Sequence, residues 1–223
     1  MNEEQIKFIS ACIIQSLAYL RKEKIIHRDL SMRNLIMDNE RYLNIIDFSY
    51  ALKYSDKKYL KYFIMGSKRE CSPERLELFT FDYNSDYYNL GVIIYYLIYK
   101  KYFNEVKTEN NKTEIYITNK NPYNYSAPLF DFLNKLLTTN YKKRIGFKTI
   151  DELKNHRWFK GFNWIDLQKK KIKSPFGFFE KREKGKLCTK HIKKKKCEIT
   201  LNPINNYYNY INKKIIIKIL NKN

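Results

Sequence analysis

The chain has 223 residues, 43% of them hydrophobic, which suffices for one good core or for one lobe with a tail and excludes a wholly disordered polymer. Its formal charge is +21, with much of the excess between Lys169 and Lys196, where only Glu180 and Glu183 oppose the bases. Four cysteines lack disulfide spacing, no signal peptide precedes them, and the apolar runs Val92–Tyr99 and Ile215–Leu220 fall short of a membrane span, so the composition speaks against a secreted disulfide scaffold and a spanning helix.

Ile6, Ile9, Ile13, Leu17 and Leu20 step by three and four, which predicts an amphipathic helix over residues 3–22. Ile25-Ile26 leads out of it into His27-Arg28-Asp29. Next, Leu35-Ile36-Met37 and Leu43-Asn44-Ile45-Ile46 flank the turn formers Asp38-Asn39, so a short hairpin is expected, with Asn34 and Asp47 at the open ends of its strands. Residues 49–72 read as loop. A helix begins near Ser85-Asp86, and Leu90, Val92, Ile93, Ile94 and Leu97 make it apolar almost all round, which suits the centre of a domain. Residues 104–128, rich in Asn, Thr and Lys, read as a surface connection with a marginal helix. Leu129, Phe132, Leu133, Leu136 and Leu137 predict another amphipathic helix, and residues 149–156 a further short one. Periodicity ends near residue 179, and disorder is expected beyond it. The fold class is mainly α with a small β-hairpin.

Chemistry concentrates around the hairpin. His27-Arg28-Asp29 is followed by Asn34, five residues past Asp29, and by Asp47-Phe48, thirteen residues past Asn34. One carboxylate stands where a hydroxyl could be deprotonated. An amide and a second carboxylate stand where magnesium could be held beside a triphosphate. Phosphoryl transfer asks for in-line placement and neutralised charge more than for covalent help, and these residue types would serve that need. A lone His-Arg-Asp tripeptide would be structural; three spaced groups converging across a hairpin point to chemistry.

These residues resemble the catalytic loop and metal-binding turn of the protein kinase family, and further matches follow. Gly66-Ser67 with Ser72-Pro73-Glu74 resembles the end of an activation segment. The run from Asp86 to Val92 resembles the start of the family's central buried helix, and Arg144-Ile145-Gly146 supplies the arginine that pairs with the Glu74 position. Lys142 to Gly146, Asn155 to Trp164, and Lys173-Ser174-Pro175-Phe176 resemble the cyclic-nucleotide-dependent Ser/Thr kinases, particularly the cGMP-dependent ones, of the AGC type. The resemblance implies ATP and Mg2+ as cofactors. It implies Asp29 as the base for the substrate hydroxyl, Arg28 as the tie to a phosphorylated activation segment, and Asn34 and Asp47 as the magnesium ligands. Ile36 would line the floor of the adenine pocket, while His27, Phe48 and Asp86 would form the lower part of a stacked spine. Glu74 with Arg144 would be architecture, since removing either partner strands a buried charge. The likeness covers residues 3–179: residues 1–179 read as the kinase C-terminal lobe and residues 180–223 as a basic low-complexity tail.

Departures from the family pattern bound the function. The first glycine is Gly66, and Lys7, Lys22 and Lys24 lie in or just after the first helix, so neither a glycine-rich phosphate lid nor a strand lysine occurs upstream of the catalytic loop. The N-terminal β-lobe is therefore expected to be absent from this chain, with ATP and magnesium held weakly and activity poor in isolation. Ser49 replaces a glycine, Ser31 a lysine, and Arg33 and Tyr96 replace acids that meet basic substrates, so a basic-substrate preference is not expected. Phe63 lies near the activating phosphothreonine position, and neither Ser67 nor Thr80 is well placed for that role.

Three functions follow: ATP-dependent protein Ser/Thr phosphotransfer with the N-terminal lobe supplied upstream, a pseudokinase or regulatory lobe that binds a protein partner, or a basic module working through its tail. The tail reads first as solvated, and nucleic-acid binding by it is not expected. Cys188, His191 and Cys197 are one ligand short of a closed structural zinc site. An intracellular, cytoplasmic protein acting on a protein substrate is the expectation.

Overall fold

Helix α1 (Glu3–Lys22) carries the predicted stripe, with Ile6, Ile9, Ile13, Leu17 and Leu20 all buried, each contributing about 1.5–3 kcal/mol of gross hydrophobic stabilisation. It starts where it does because of a reciprocal cap. Asn2 Oδ1 accepts the Gln5 N–H at 2.9 Å, and Gln5 Oε1 accepts the Asn2 N–H at 3.1 Å. Glu3 then anchors this end, its carboxylate accepting from Ser126 N–H (2.8 Å), Ser126 Oγ (2.5 Å) and Trp158 Nε1 (2.8 Å). Burial pushes the Glu3 carboxyl up, but these donors outweigh it and hold it below the ordinary range.

The computed structural model describes residues 1–55, 70–77, 82–102, 105–107, 113–115, 121 and 123–177, and Met1–Phe176 forms one compact unit. After α1 the chain makes β1 (Ile25–Ile26), the catalytic-loop candidate with a single 3-10 turn (Met32–Asn34), β2 (Leu35–Met37), β3 (Leu43–Ile45) and β4 (Leu52–Lys53). β2 and β3 pair antiparallel with Leu35 opposite Ile45 and Met37 opposite Leu43. Asp38 closes their turn by accepting the N–H groups of Glu40 and Tyr42 through Oδ1, as expected of a turn former. β1 pairs with β4, Ile26 opposite Leu52, inside the stretch read from sequence as loop. Two residues are too short to show a period, so that ladder had no sequence signature.

Helix α2 (Pro73–Glu77) leads to α3 (Tyr83–Tyr99), capped by Asp82, two residues earlier than the sequence places its start. Fourteen of its seventeen residues are buried, in keeping with a helix apolar nearly all round. Helix α4 (Ala127–Leu136) crosses it, and Gly91 permits the approach: a Cβ there would lie 2.8 Å from Leu137 Cδ2 and 3.0 Å from Leu136 Cβ. Between them run the paired strands β5 (Glu105–Lys107) and β6 (Thr113–Ile115), where the sequence suggested a marginal helix. Val106, Thr113 and Ile115 are β-branched, and no apolar stripe at helical spacing opposes their preference for extended backbone.

Helices α5 (Asp151–Lys154) and α6 (Trp164–Gln168) complete the unit. Phe132, Trp158, Phe159, Phe162 and Trp164 pack in successive ring contacts of 5.0–5.8 Å, so both tryptophans are packing residues. Residues 172–176 return over α1 and the hairpin: Tyr42 O–H donates to Ile172 O at 2.5 Å, and the Phe176 ring lies 6.4 Å from that of Phe8. The architecture is thus mainly helical with short two-stranded ladders. No helix among the described residues is long and apolar enough to cross a membrane. The tail beyond residue 179, with Cys188, His191 and Cys197, lies outside the described residues, as do Phe63, Gly66, Ser67 and Thr80.

Candidate active site

His27, Arg28 and Asp29 leave β1 in an unusual backbone path, and Asp86 holds it. Arg28 sits at φ +71°, a left-handed conformation that costs a non-glycine residue about 1–2 kcal/mol and needs outside support. The support comes from α3: Asp86 Oδ2 accepts the His27 N–H at 2.8 Å, and Oδ1 accepts the Arg28 N–H at 2.9 Å. Burial raises the Asp86 carboxyl above its usual range despite these two donors. The His27 ring accepts the Asp29 N–H at Nδ1 (3.3 Å), which directs its proton to Nε2 and toward Ile46 O at 3.2 Å. The same ring meets Phe48 edge-on, centroids 5.0 Å apart.

Asp29 and Asn34 meet directly. The 3-10 turn Met32–Asn34 folds the chain back so that Asn34 Nδ2 donates to the Asp29 carbonyl at 2.8 Å and to Asp29 Oδ2 at 2.9 Å. Both Asp29 atoms are acceptors, so the amide nitrogen faces Asp29 and the amide oxygen is left to face elsewhere. Asn34 is also joined to the second strand, because its carbonyl accepts the Ile46 N–H at 2.9 Å. Asp47 follows at the open end of the hairpin, at φ +61°. Its Oδ1 accepts Ser49 Oγ (2.6 Å) and the Ser49 N–H (3.1 Å), and the Ser49 side-chain bond leads in holding the carboxyl below its usual range. Ile36 and Ile46 are unusually exposed for isoleucine, at 53% and 40%, on the hairpin that joins Asn34 to Asp47.

Below this set, Glu74 and Arg144 form a bidentate buried pair, with Nη1 to Oε1 at 2.6 Å and Nη2 to Oε2 at 2.8 Å. The guanidinium also donates to Asn84 O (2.8 Å) and Thr138 O (3.0 Å) and lies 4.9 Å from the Tyr88 ring centre. Ser85 Oγ adds a donor to Glu74 Oε1 at 3.1 Å. Arg75, the next residue of α2, donates to the Arg28 carbonyl at 3.0 Å and so reaches the candidate catalytic loop. Sequence reasoning had no signal for Arg75, nor for Arg21, which donates to Gly146 O, Lys148 O and the Tyr87 hydroxyl. Ser31 is buried, whereas Arg33 is largely exposed.

Among the described residues no group of three or more His, Cys, Asp or Glu could hold a metal ion. An amide oxygen and a carboxylate are nonetheless a hard-oxygen donor set, which suits magnesium, an ion that commonly takes only one or two protein ligands beside phosphate oxygens and water. The residues present fit that ion.

A family model described as the protein kinase domain matches residues 1–159. The chain is 29% identical over 180 residues to cGMP-dependent protein kinase 2 of Homo sapiens, covering 78% of this chain and 24% of that protein. It is 31% identical over 174 residues to cAMP-dependent protein kinase catalytic subunit 3 of Drosophila melanogaster, covering 75% and 29%. With the probable cAMP-dependent protein kinase catalytic subunit of Encephalitozoon cuniculi it shares 29% identity over 177 residues, 78% of this chain and 54% of that one. The aligned part thus spans between about a quarter and about half of these relatives' length. With the family model covering most of its residues, this chain belongs to the protein kinase domain family.

Proposed function

We propose that residues 1–179 are the C-terminal lobe of an ATP-dependent protein Ser/Thr kinase, with Asp29 as the base and Asn34 and Asp47 as the magnesium ligands. The observation that carries this reading is the pair of hydrogen bonds that Asn34 Nδ2 donates to the Asp29 carbonyl and carboxylate, made beside a hairpin whose far strand leads into Asp47. Similarity to cGMP- and cAMP-dependent kinases supports the Ser/Thr class.

Asp29 orients the substrate hydroxyl and takes its proton as the oxygen–phosphorus bond forms and the bond to the departing ADP breaks. Asn34, pinned through its nitrogen, presents its oxygen, and Asp47 stays ionised because Ser49 donates to it, so both keep the form that binds a hard cation. Magnesium, when bound, neutralises phosphate charge. Ile36 offers an apolar surface for the base of the nucleotide. His27, Phe48 and Asp86 hold the loop and the turn in register, and Glu74 with Arg144 holds α2 beneath them. Arg28 would tie the loop to a phosphorylated segment.

No glycine precedes Gly66, so the lid that covers the phosphates is proposed to come from an N-terminal lobe outside these 223 residues. Phosphate transfer from labelled ATP to protein, by a gene product carrying both this chain and such a lobe, should be lost in Asp29→Asn. Retention of full activity in that variant would refute the base. Residues 1–223 alone should show little heat on titration with magnesium-ATP, and micromolar affinity would refute the need for a lid.

A second reading, a regulatory lobe acting by protein–protein binding, is favoured by one observation. Ser49, in place of the family's glycine, bonds Asp47 Oδ1 through its hydroxyl (2.6 Å) and its N–H (3.1 Å), which stiffens the turn. Under that reading the Asp29→Asn protein keeps all its partner binding and the wild type transfers no phosphate.

A further inference from the structure

Next to the proposed phosphotransfer centre lies a small charged and aromatic surface with no part in holding nucleotide. Arg33 is the middle residue of the 3-10 turn, one position before Asn34, and its side chain is 71% exposed. Its one acidic neighbour among the described residues is Glu70, with Nη2 3.9 Å from Oε2, at the outer limit of an ion pair. Glu70 is tied from elsewhere: its other carboxylate oxygen accepts the Tyr102 hydroxyl at 2.8 Å, and its carbonyl accepts Asn89 Nδ2. Tyr96 stacks at a tilt on Tyr102, centroids 5.0 Å apart, and burial followed by the bond to Glu70 pushes the Tyr102 phenol up to about 12, so it remains a donor at neutral pH. The acid is therefore held in place, 10% exposed, while the arginine reaches into solvent.

A long contact to a mostly exposed guanidinium satisfies little of it: such pairs are worth about 0–1 kcal/mol, and among the described residues one nitrogen is engaged out of three. A guanidinium presents a planar fork suited to a carboxylate or phosphate. Arg33 lies one residue before Asn34, and Asn34 is bonded directly to Asp29, the group proposed to receive the hydroxyl proton, so a substrate chain presenting its hydroxyl to Asp29 would have Arg33 as a near neighbour.

Resting on the phosphotransfer reading, we infer that Arg33, exposed beside Glu70 and one residue from Asn34, selects protein substrates carrying an acidic side chain close to the acceptor hydroxyl. Glu70 is 10% exposed and accepts the Tyr102 hydroxyl at 2.8 Å, which tempers its repulsion of that acid. A substrate arginine at the same place meets a like charge.

The test uses the full 223-residue chain and two fluorescein-labelled peptides, each with one serine in an alanine–glycine frame. In one the serine is flanked on both sides by glutamates, in the other by arginines, and binding is followed by anisotropy. The glutamate peptide should bind at least about tenfold more tightly, and Arg33→Gln should remove at least about fivefold of that preference. Arg33→Lys should keep part of it, and Arg33→Glu should reverse it. Lys142→Gln with Lys143→Gln, at exposed positions in the turn before Arg144, is the control for the net charge of +21. If the lysine variant loses as much as Arg33→Gln, or if Arg33→Gln loses nothing, the preference belongs to overall charge and the inference is overturned. Arg33 is exposed, so its replacement leaves the fold intact, and unchanged circular dichroism verifies that. Phosphate transfer abolished by Asp29→Asn, with no dependence on Arg33, sinks this inference alone. Arg33-dependent binding without Asp29-dependent transfer by the lobed gene product sinks the phosphotransfer reading.

Discussion

Removing the Glu74 carboxylate is the sharpest test of what holds the candidate site in place. In Glu74→Ala the Arg144 guanidinium loses bonds of 2.6 and 2.8 Å while remaining buried, with two carbonyls and the Tyr88 ring as its remaining neighbours. Stranding a buried charge in this way costs about 3–5 kcal/mol, a large share of the roughly 5–15 kcal/mol that holds a typical domain folded. The double variant Glu74→Leu with Arg144→Met removes both charges and should cost less than the sum of the single losses. It should not be neutral, because Thr138 O, Asn84 O and Ser85 Oγ lose their partners, at about 1–3 kcal/mol for each left unsatisfied. Urea unfolding of the full chain, followed by far-ultraviolet circular dichroism, reads all three. Acid adds a signature: burial raises the Glu74 carboxyl, but the bond to Arg144 and its charge bring it below the usual 4.5. A depressed acid gives its full stabilisation above the unfolded value and loses it as pH falls through the folded value, so the wild type should lose stability below 4.5 by a margin absent from the double variant. A loss under about 1 kcal/mol in Glu74→Ala, or strict additivity in the double variant, would refute the account of this pair.

Gly146→Ala should destabilise by roughly 2–5 kcal/mol, since φ is +91° and a Cβ would come within 2.4 Å of Leu153 Cδ1 and 2.7 Å of Tyr87 Cδ2; Gly161→Ala, at φ +79° with nothing within 4 Å, carries backbone strain alone and should cost visibly less in the same urea experiment. His156 accepts the Trp158 N–H at Nδ1 (3.2 Å) and lies 3.0 Å from Asp131 through Nε2, and burial holds its pKa below 6.5 in spite of that carboxylate. As pH falls below 6.5 the unfolded chain takes up a proton that the folded ring resists, so stability should decline there in the wild type and less in His156→Gln; an NMR titration placing His156 above 6.5 would reverse the sign.

What could be read from the sequence was whatever repeats or keeps a spacing. Helix α1, the hairpin and α3 each carry a period or a turn former, and their bounds follow closely. Asp29 and Asn34 are likewise local to one loop, so their meeting needs no knowledge of the rest of the chain, and one hairpin carries the chain from Asn34 to Asp47. Elements joined over long separations left no such trace. β1 finds β4 through two residues on each side, and α2 spans five residues within a stretch without amphipathic pattern. Single polar residues were least legible. Glu3, Arg21, Glu70 and Arg75 look like solvated charges in the sequence, yet each is bound to a backbone or hydroxyl group distant in the chain. Polar groups of that kind earn burial through partners that no pattern announces.

Those partners form a continuous mechanical connection from the helical core to the site. Arg144 holds Glu74 at the start of α2, and the next residue, Arg75, holds the Arg28 carbonyl. From the other side, α3 presents Asp86 to the N–H groups of His27 and Arg28. Arg28 is thus gripped at both its carbonyl and its amide, which is what a left-handed φ of +71° requires if it is to persist. The position of Asp29 follows directly, because its backbone N–H is bound to the His27 ring and its carbonyl to Asn34. A charge stranded at Arg144 therefore acts on the candidate base through α2 and Arg28, without touching it. In the lobed gene product, a weak version of the lesion such as Glu74→Gln should lower the turnover number more than it weakens substrate binding, because it disturbs the placement of Asp29 while leaving Arg33 exposed on its own turn.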